Sequence, residues 1–417
     1  MALNADFDIM LKEYANNEIL ENKILKNNWF INKVKKDPKW SLGAYQIAVE
    51  TQENSRFEFG ALPASNDIGG ALYAKPEVNS PAELLGAIKW NQKDLERHTG
   101  DLKKSFLQIA PNKLKQFAQR MEETASLVML GDGSLCNVTA DATGLGVVTC
   151  DRVWLLSADQ KITITETVTD TTTVTGYVKR GSIDINAGTF TLVTAIGGAV
   201  AVDCSGLDVA NLPKVFVVGS ATKKFTSLID IVFPASLGGA DSLYSGAITK
   251  ADSPVYQPYA KDLSASTTYA ALRNSLFDFY YTAEQMGRSE NDELLVPYSV
   301  FKALALAPES QRQLLPDSVK HAFGAKSMRL QGPDGDMVVT GIRDMQNGYV
   351  VKMDWDAVVL ASRGSLVKNV NMSGEYFEER ATTGYTYIQD KKMEAELIVT
   401  APYKLAGAKV AAAFTAT

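Results

Sequence analysis

Over residues 112–130, NKLKQFAQRMEETASLVML, apolar positions return at steps of three and four: Leu114, Phe117, Met121, Ala125 and Val128 share one face. Lys113, Lys115, Arg120, Glu122 and Glu123 lie elsewhere around the axis. The spacing predicts an amphipathic helix of about five turns. A second helix is predicted over 267–286, with Leu272, Leu276, Phe279, Tyr280 and Ala283 on one face, and a third over 299–315. Elsewhere the period shortens to two. Tyr45, Ile47 and Val49 alternate with polar or small neighbours, residues 56–59 alternate again, and strands are expected near 294–296, 337–341, 349–353 and 357–361. KKMEAELIVTAPY and AKVAAAFTAT end the chain as strands. SPAELLGAIKW reads two ways: Ser80, Pro81 and Glu83 resemble a capped helix start, while Ile88 and Trp90 suit a returning strand.

From Cys150 to about residue 235 the texture is β-rich and Thr-rich, with Ile162 and Ile164, Ile183 and Ile185, then Phe190 and Leu192 at period two. Asn186-Ala187-Gly188 turns one strand into the next. This predicts a small sheet or barrel set inside a longer chain; a Thr-rich adhesive or fibre module is the competing reading. Residues 40–97 form an extended excursion with little hydrophobic mass of their own. Long helices with later strands make an α+β architecture.

Between the first predicted helix and the β region stands GDGS. A phosphate-holding loop precedes its helix, because the free N–H groups and the positive dipole end gather at the N-terminus. These glycines follow one. The Lys-Ser/Thr pair of a P-loop is absent. A calcium loop starting at Asp132 would meet Asn137 and Thr143 where Gly and Glu are required, and one starting at Asp334 would meet Val339 and Met345. Gly131, Asp132 and Gly133 are therefore read as a helix-stop turn, with Gly131 at the left-handed cap.

Composition changes this picture little. The 417 residues are 46% hydrophobic and 22% charged, ordinary for a globular chain able to bury a core. A net charge of -6 argues against a protein that grips a polyanion over its whole surface. Apolar runs fall short of a membrane span, and the polar, acidic start is unlike a signal peptide, so synthesis in the cytoplasm is expected. In that setting the sequons at Asn137 and Asn371 carry no meaning. Cys136, Cys150 and Cys204 show neither metal nor disulfide spacing and read as buried thiols. His98 and His321 stand alone and read as surface or packing residues. No pair among the 48 acidic residues stands out by spacing. No catalytic residue, metal or cofactor is expected. Near the N-terminus, NKILKNNWFINKVKKDPKW interleaves lysines with Trp29, Phe30 and Trp40. Such an arm contacts nucleic acid or lays its aromatics on a neighbouring subunit, the second being favoured. Trp29, Phe30, Phe57 and Phe59 are the candidates for intersubunit contact.

The order of these pieces resembles the major capsid proteins of tailed double-stranded DNA phages, which share the Hong Kong 97-type fold. KQFAQRMEETASLVMLGDGS is similar to that family's spine helix and GDG turn, after an extended loop and a basic arm. TYAALRNSLFDFYYTAEQMG followed by ELLVPYSVFKALALAPE is similar to the second helix leading into the axial domain. VNMSGEYFEERATTGYTYIQDKKMEAELIVTAPYKLAGAKV resembles the late peripheral strands and the return to the axial domain. The resemblance implies an N-terminal arm over 1–39, an extended E-loop over 40–98, a spine helix over 99–136 and an inserted β-rich domain over 137–248. It continues with a peripheral-domain helix over 249–290, an axial domain over 291–366, peripheral strands over 367–399 and an axial return over 400–417. It further implies self-assembly into hexamers and pentamers of an icosahedral virion head made in the host bacterial cytoplasm. The implied partners are portal, a separate scaffolding protein or none in place of a built-in pre-sequence, optionally a decoration protein, and weakly contacted double-stranded DNA, with no membrane. An encapsulin-type nanocompartment is the alternative, and a soluble enzyme a more distant one.

Overall fold

The computed structural model describes residues 28–40, 45–46, 49–50, 73–74, 77–78, 82–91, 102–140, 146–166, 172–218, 225–246, 248–252, 257–286, 292–306, 325–332, 335–369, 378–379, 386–411 and 413–415. Two compact units emerge, one of residues 1–126 with 225–417, the other of residues 127–224.

The larger unit begins with a short helix α1 (Trp29–Lys33), capped by Asn28, whose side chain accepts from the Ile31 amide. Strand β1 (Lys35–Asp37) follows. Four two-residue strands come next: β2 (Tyr45–Gln46), β3 (Val49–Glu50), β4 (Tyr73–Ala74) and β5 (Glu77–Val78). They pair antiparallel in a nested fashion, β2 with β5 and β3 with β4, so the chain runs out and back as a ribbon. Strand β6 (Ala82–Asn91) settles the ambiguity of SPAELLGAIKW: from Ala82 to Ile88 exposure alternates residue by residue, with Leu85 62% exposed and Ile88 buried. Helix α2 (Leu102–Leu130) is 29 residues long and starts ten residues before the expected 112. It runs through Pro111, which has no N–H for the carbonyl four residues back.

The smaller unit is a closed six-stranded barrel. Its strands are β7 (Ser134–Ala140), β8 (Val147–Cys150), β9 (Lys161–Thr165), β10 (Thr173–Val178), β11 (Thr189–Val193) and β12 (Lys214–Val217), in the order β10-β11-β8-β7-β12-β9. Closure removes every free edge. Ile162, Ile164, Phe190, Leu192 and all three cysteines are buried, the thiols free. Ile183 and Ile185 belong to no strand; they lie in the turn region before Gly188, whose φ is +67°, and Ile185 is exposed. The expected insert of 137–248 is therefore corrected at both ends. The barrel already includes β7, which starts at Ser134, and residues from Phe225 on belong to the larger unit.

Back in that unit come α3 (Leu228–Val232), a two-stranded ribbon of β13 (Ser242–Leu243) and β14 (Ile248–Thr249), strand β15 (Tyr259–Leu263) and helix α4 (Tyr269–Met286). Then follow β16 (Asp292–Pro297), helix α5 (Tyr298–Leu306), β17 (Ala325–Gly332), β18 (Gly335–Ile342), β19 (Tyr349–Asp354), β20 (Val358–Asn369), β21 (Glu378–Glu379), β22 (Thr386–Val399) and β23 (Ala406–Val410). A six-stranded sheet has the order β15-β23-β19-β16-β18-β17. Leu272, Leu276, Phe279 and Tyr280 of α4 share one core with Leu294, Val339 and Ala408 of this sheet. Residues 249–290, read from sequence as a peripheral-domain helix, thus supply an edge strand and a covering helix to the six-stranded sheet, because the apolar stripe of α4 is buried there. A second sheet has the long β22 at its centre: β6 pairs along ten residues of it, β20 flanks it antiparallel, and β1 adds to β20 in parallel.

Candidate functional site

Two features of the sequence were singled out for function, the aromatic arm and the GDG turn, and the structure gives each a set of contacts.

The described part of the arm, residues 28–40, is docked in the chain's own core. Trp29 and Phe30 of α1 are 8% and 1% exposed. Trp29 meets the Trp355 ring edge-on at a centroid distance of 5.3 Å, and Phe30 lies 6.3 Å from the same ring. These two aromatics are therefore withdrawn as intersubunit contacts. A continuous apolar turn next to a buried tryptophan is satisfied within one chain. Lys33 reaches over Trp355 at 4.5 Å and pairs with the buried carboxylate of Glu293, which also accepts from Thr340 Oγ1 and, at 3.0 Å, from Trp355 Nε1. Phe57 and Phe59 lie outside the described residues, as do His98 and His321.

At the turn, α2 ends at Leu130 as expected, but the residue with positive φ is Gly133, at +89°, rather than Gly131. Asp132 explains the shift. Its Oδ1 accepts from the Ser134 amide at 3.0 Å and from Ser134 Oγ at 2.5 Å, closing an Asx turn around Gly133. Its Oδ2 accepts from Lys214 Nζ on β12 at 2.6 Å. Burial alone would raise the carboxyl's pKa, yet the Lys214 charge and the hydrogen bonds hold it down at about 2. The turn thus ties the start of β7 to β12 and is a fastening of the barrel. Among the described residues no group of three or more His, Cys, Asp or Glu is placed to hold a metal, and no helix is long and apolar enough to cross a membrane.

Sequence reasoning passed over several buried ionisable groups because single charged letters carry no local signal of burial. Glu396 accepts from the Thr226 amide at 2.6 Å and the Ala82 amide at 3.3 Å; burial pushes its pKa up to about 7. Lys250 donates to the carbonyls of Asp230 and Phe233, both at 2.7 Å, and burial lowers it to about 8. Lys352, fully buried on β19, pairs with Glu284 at 2.6 Å and Asp292 at 3.1 Å. Where α1, α2 and the turn after β18 meet, a cavity of about 310 Å³ is lined by Trp29, Phe30, Glu122, Ser126, Arg343 and Asp344 among others.

No protein-family profile and no curated protein matches the chain. Among solved structures it is similar to the capsid of the native GTA particle, at 9% identity over 92% of this chain and 90% of that one, with a TM-score of 0.44. It is also similar to the capsid of cyanophage A-1(L), at 7% identity over 92% and 91%, TM-score 0.46. A third likeness is to the SrpI encapsulin of Synechococcus elongatus, at 7% identity over 96% and 94%, TM-score 0.41.

Proposed function

We propose that this chain is a structural subunit of a closed shell, the major capsid protein of a tailed double-stranded DNA phage with the Hong Kong 97-type fold. The observation that carries the reading is the nested ribbon between β1 and β6, where Tyr45 pairs with Val78 and Glu50 with Tyr73. A two-stranded ribbon is marginal on its own in water and needs a surface to lie on. Copies of one chain on a closed lattice supply that surface to every ribbon. Hexamers and pentamers are the capsomers of such a lattice. Portal, a separate scaffolding protein and a decoration protein are its natural partners, and the virion head, made in the host cytoplasm, is its location. A net charge of -6 suits a wall that holds DNA while contacting it weakly, since each neutralised phosphate adds affinity. The role calls for neither a cofactor nor a catalytic group. Electron microscopy and sedimentation of the purified chain test it. Closed shells or capsomers are expected, filled with DNA and carrying a portal when made during infection. Monomers alone across salt, pH and concentration, even with scaffold supplied, overturn the reading. Small uniform shells around a protein cargo replace it with the encapsulin type.

A further inference from the structure

The cavity where the arm meets α2 has two sets of polar groups. In the first, every partner is in place: Arg343 donates to Asp344 Oδ1 at 2.9 Å and pairs with Glu123 at 3.2 Å, and Asn28 Nδ2 donates to Asp344 Oδ2 at 3.3 Å. In the second, Glu122 Oε1 and Ser126 Oγ have no hydrogen-bond partner among the described residues, although Glu122 is 2% exposed and Ser126 fully buried. Four residues apart on α2, they are neighbours on one helix face, and both line the cavity. Unsatisfied buried polar atoms are rare enough in folded proteins to require a reason. Trp29 and Phe30 line the cavity as well, and aromatic rings attract cations, as Lys33 Nζ, 4.9 Å from the Trp29 ring centroid, already shows. Of the carboxyls lining the cavity, Glu123 and Asp344 are engaged by Arg343, which leaves Glu122 as the one free to take up a further cation.

We propose that this cavity is a binding site for one cationic N–H donor group, an alkylammonium or a guanidinium. Its hydrogens would satisfy Glu122 Oε1 and Ser126 Oγ together, and its carbon stem would lie along the aromatic wall. Water would satisfy the oxygens but gains nothing from the rings. Burial raises the Glu122 pKa to about 8, Lys36 on β1 counteracting it and Glu123 adding to it. At neutral pH the empty site therefore holds a proton that an entering cation displaces. The cation comes either from a free small amine or from a Lys or Arg side chain of a second copy, and the second source rests on the shell reading.

Agmatine, which carries both cationic groups on a four-carbon stem, is the probe. The full-length chain is titrated calorimetrically in unassembled form at pH 7, in two buffers of different ionisation heat, and again after assembly. Saturable binding with proton release is expected, weakened at least tenfold by Glu122→Gln and measurably by Ser126→Ala. Binding that persists in assembled particles assigns the site to a free amine. Binding blocked by assembly, with both variants assembling more slowly at unchanged subunit melting temperature, assigns it to a neighbour's side chain. Absence of binding to unassembled chain together with normal assembly of both variants overturns the proposal, as does agmatine binding that neither variant alters. Should Glu122→Gln fail to fold, Ser126→Ala decides alone. Binding by a chain that never assembles leaves the site standing and removes only the shell reading.

Discussion

Asp132, half-buried, and Glu396, buried, are carboxyls whose surroundings push them in opposite directions, and the pH dependence of each follows. Lys214 and the Ser134 hydrogen bonds hold Asp132 at about 2, below its ordinary 3.8. Its stabilising share is present above pH 3.8 and lost as pH falls through about 2. By linkage that share is about 2 kcal/mol. Asp132→Asn keeps the Asx turn but removes the ion pair, so the variant should lose about this much at pH 7 and little at pH 2, read from denaturant midpoints at the two pH values. Equal losses at both would show that the ion pair is not the source. Glu396 behaves in the reverse sense: burial raises it from 4.5 to about 7, so stability is full below pH 4.5 and falls as pH rises through 7. Glu396→Gln should flatten the stability profile between pH 4.5 and 7 by about 3 kcal/mol. An unchanged slope there would show that other groups set it.

The packing of β6 beneath α2 depends on the absence of a side chain. A Cβ on Gly86 would stand 2.6 Å from Cζ of the Phe117 ring, and Gly86 pairs with Lys391 of β22. Gly86→Val should therefore push the ring away and destabilise the chain by about 1–3 kcal/mol. Combined with Phe117→Leu it should recover part of the loss, giving a coupling term in a double-mutant cycle. Strict additivity would mean that strand and helix do not meet as described. Helices α2 and α4 were legible from their 3.6-residue period, since an apolar stripe reports burial whatever the partner. β6 was not, because a capping-box pattern and an alternating pattern overlap in SPAELLGAIKW; the long partner strand β22, some three hundred residues away, makes it a strand. The first ten residues of α2 were hidden behind Pro111, which reads locally as a helix breaker. Trp29 and Phe30 were read as outward contacts because the sequence gives no sign of Trp355, the ring they meet. The cavity behind them was illegible for the same reason, since Glu122 and Ser126 look like ordinary helix letters.

For the whole molecule, the division at residues 127–224 is the feature most open to a direct test. The barrel has its own core, in which Val148, Ile162, Ile164, Phe190, Leu192 and Val215 are buried together. Its first and last strands pair, with Ser134 opposite Phe216 and Asn137 opposite Lys214, so the two ends of the module emerge side by side. A closed barrel with adjacent ends is the form in which one domain is inserted into another without breaking the host's continuity. Residues 127–224 expressed alone should give a β-rich spectrum and a single cooperative transition, with equal calorimetric and van't Hoff enthalpies of roughly 60–80 kcal/mol, as for any domain of about 100 residues. In that fragment Lys214→Ala should lower the melting temperature, because the ion pair that fastens β7 to β12 lies wholly within it. A disordered or largely helical fragment would refute the module's autonomy. It would also mean that the barrel closes only in the presence of the larger unit, making insertion a description of chain order rather than of folding.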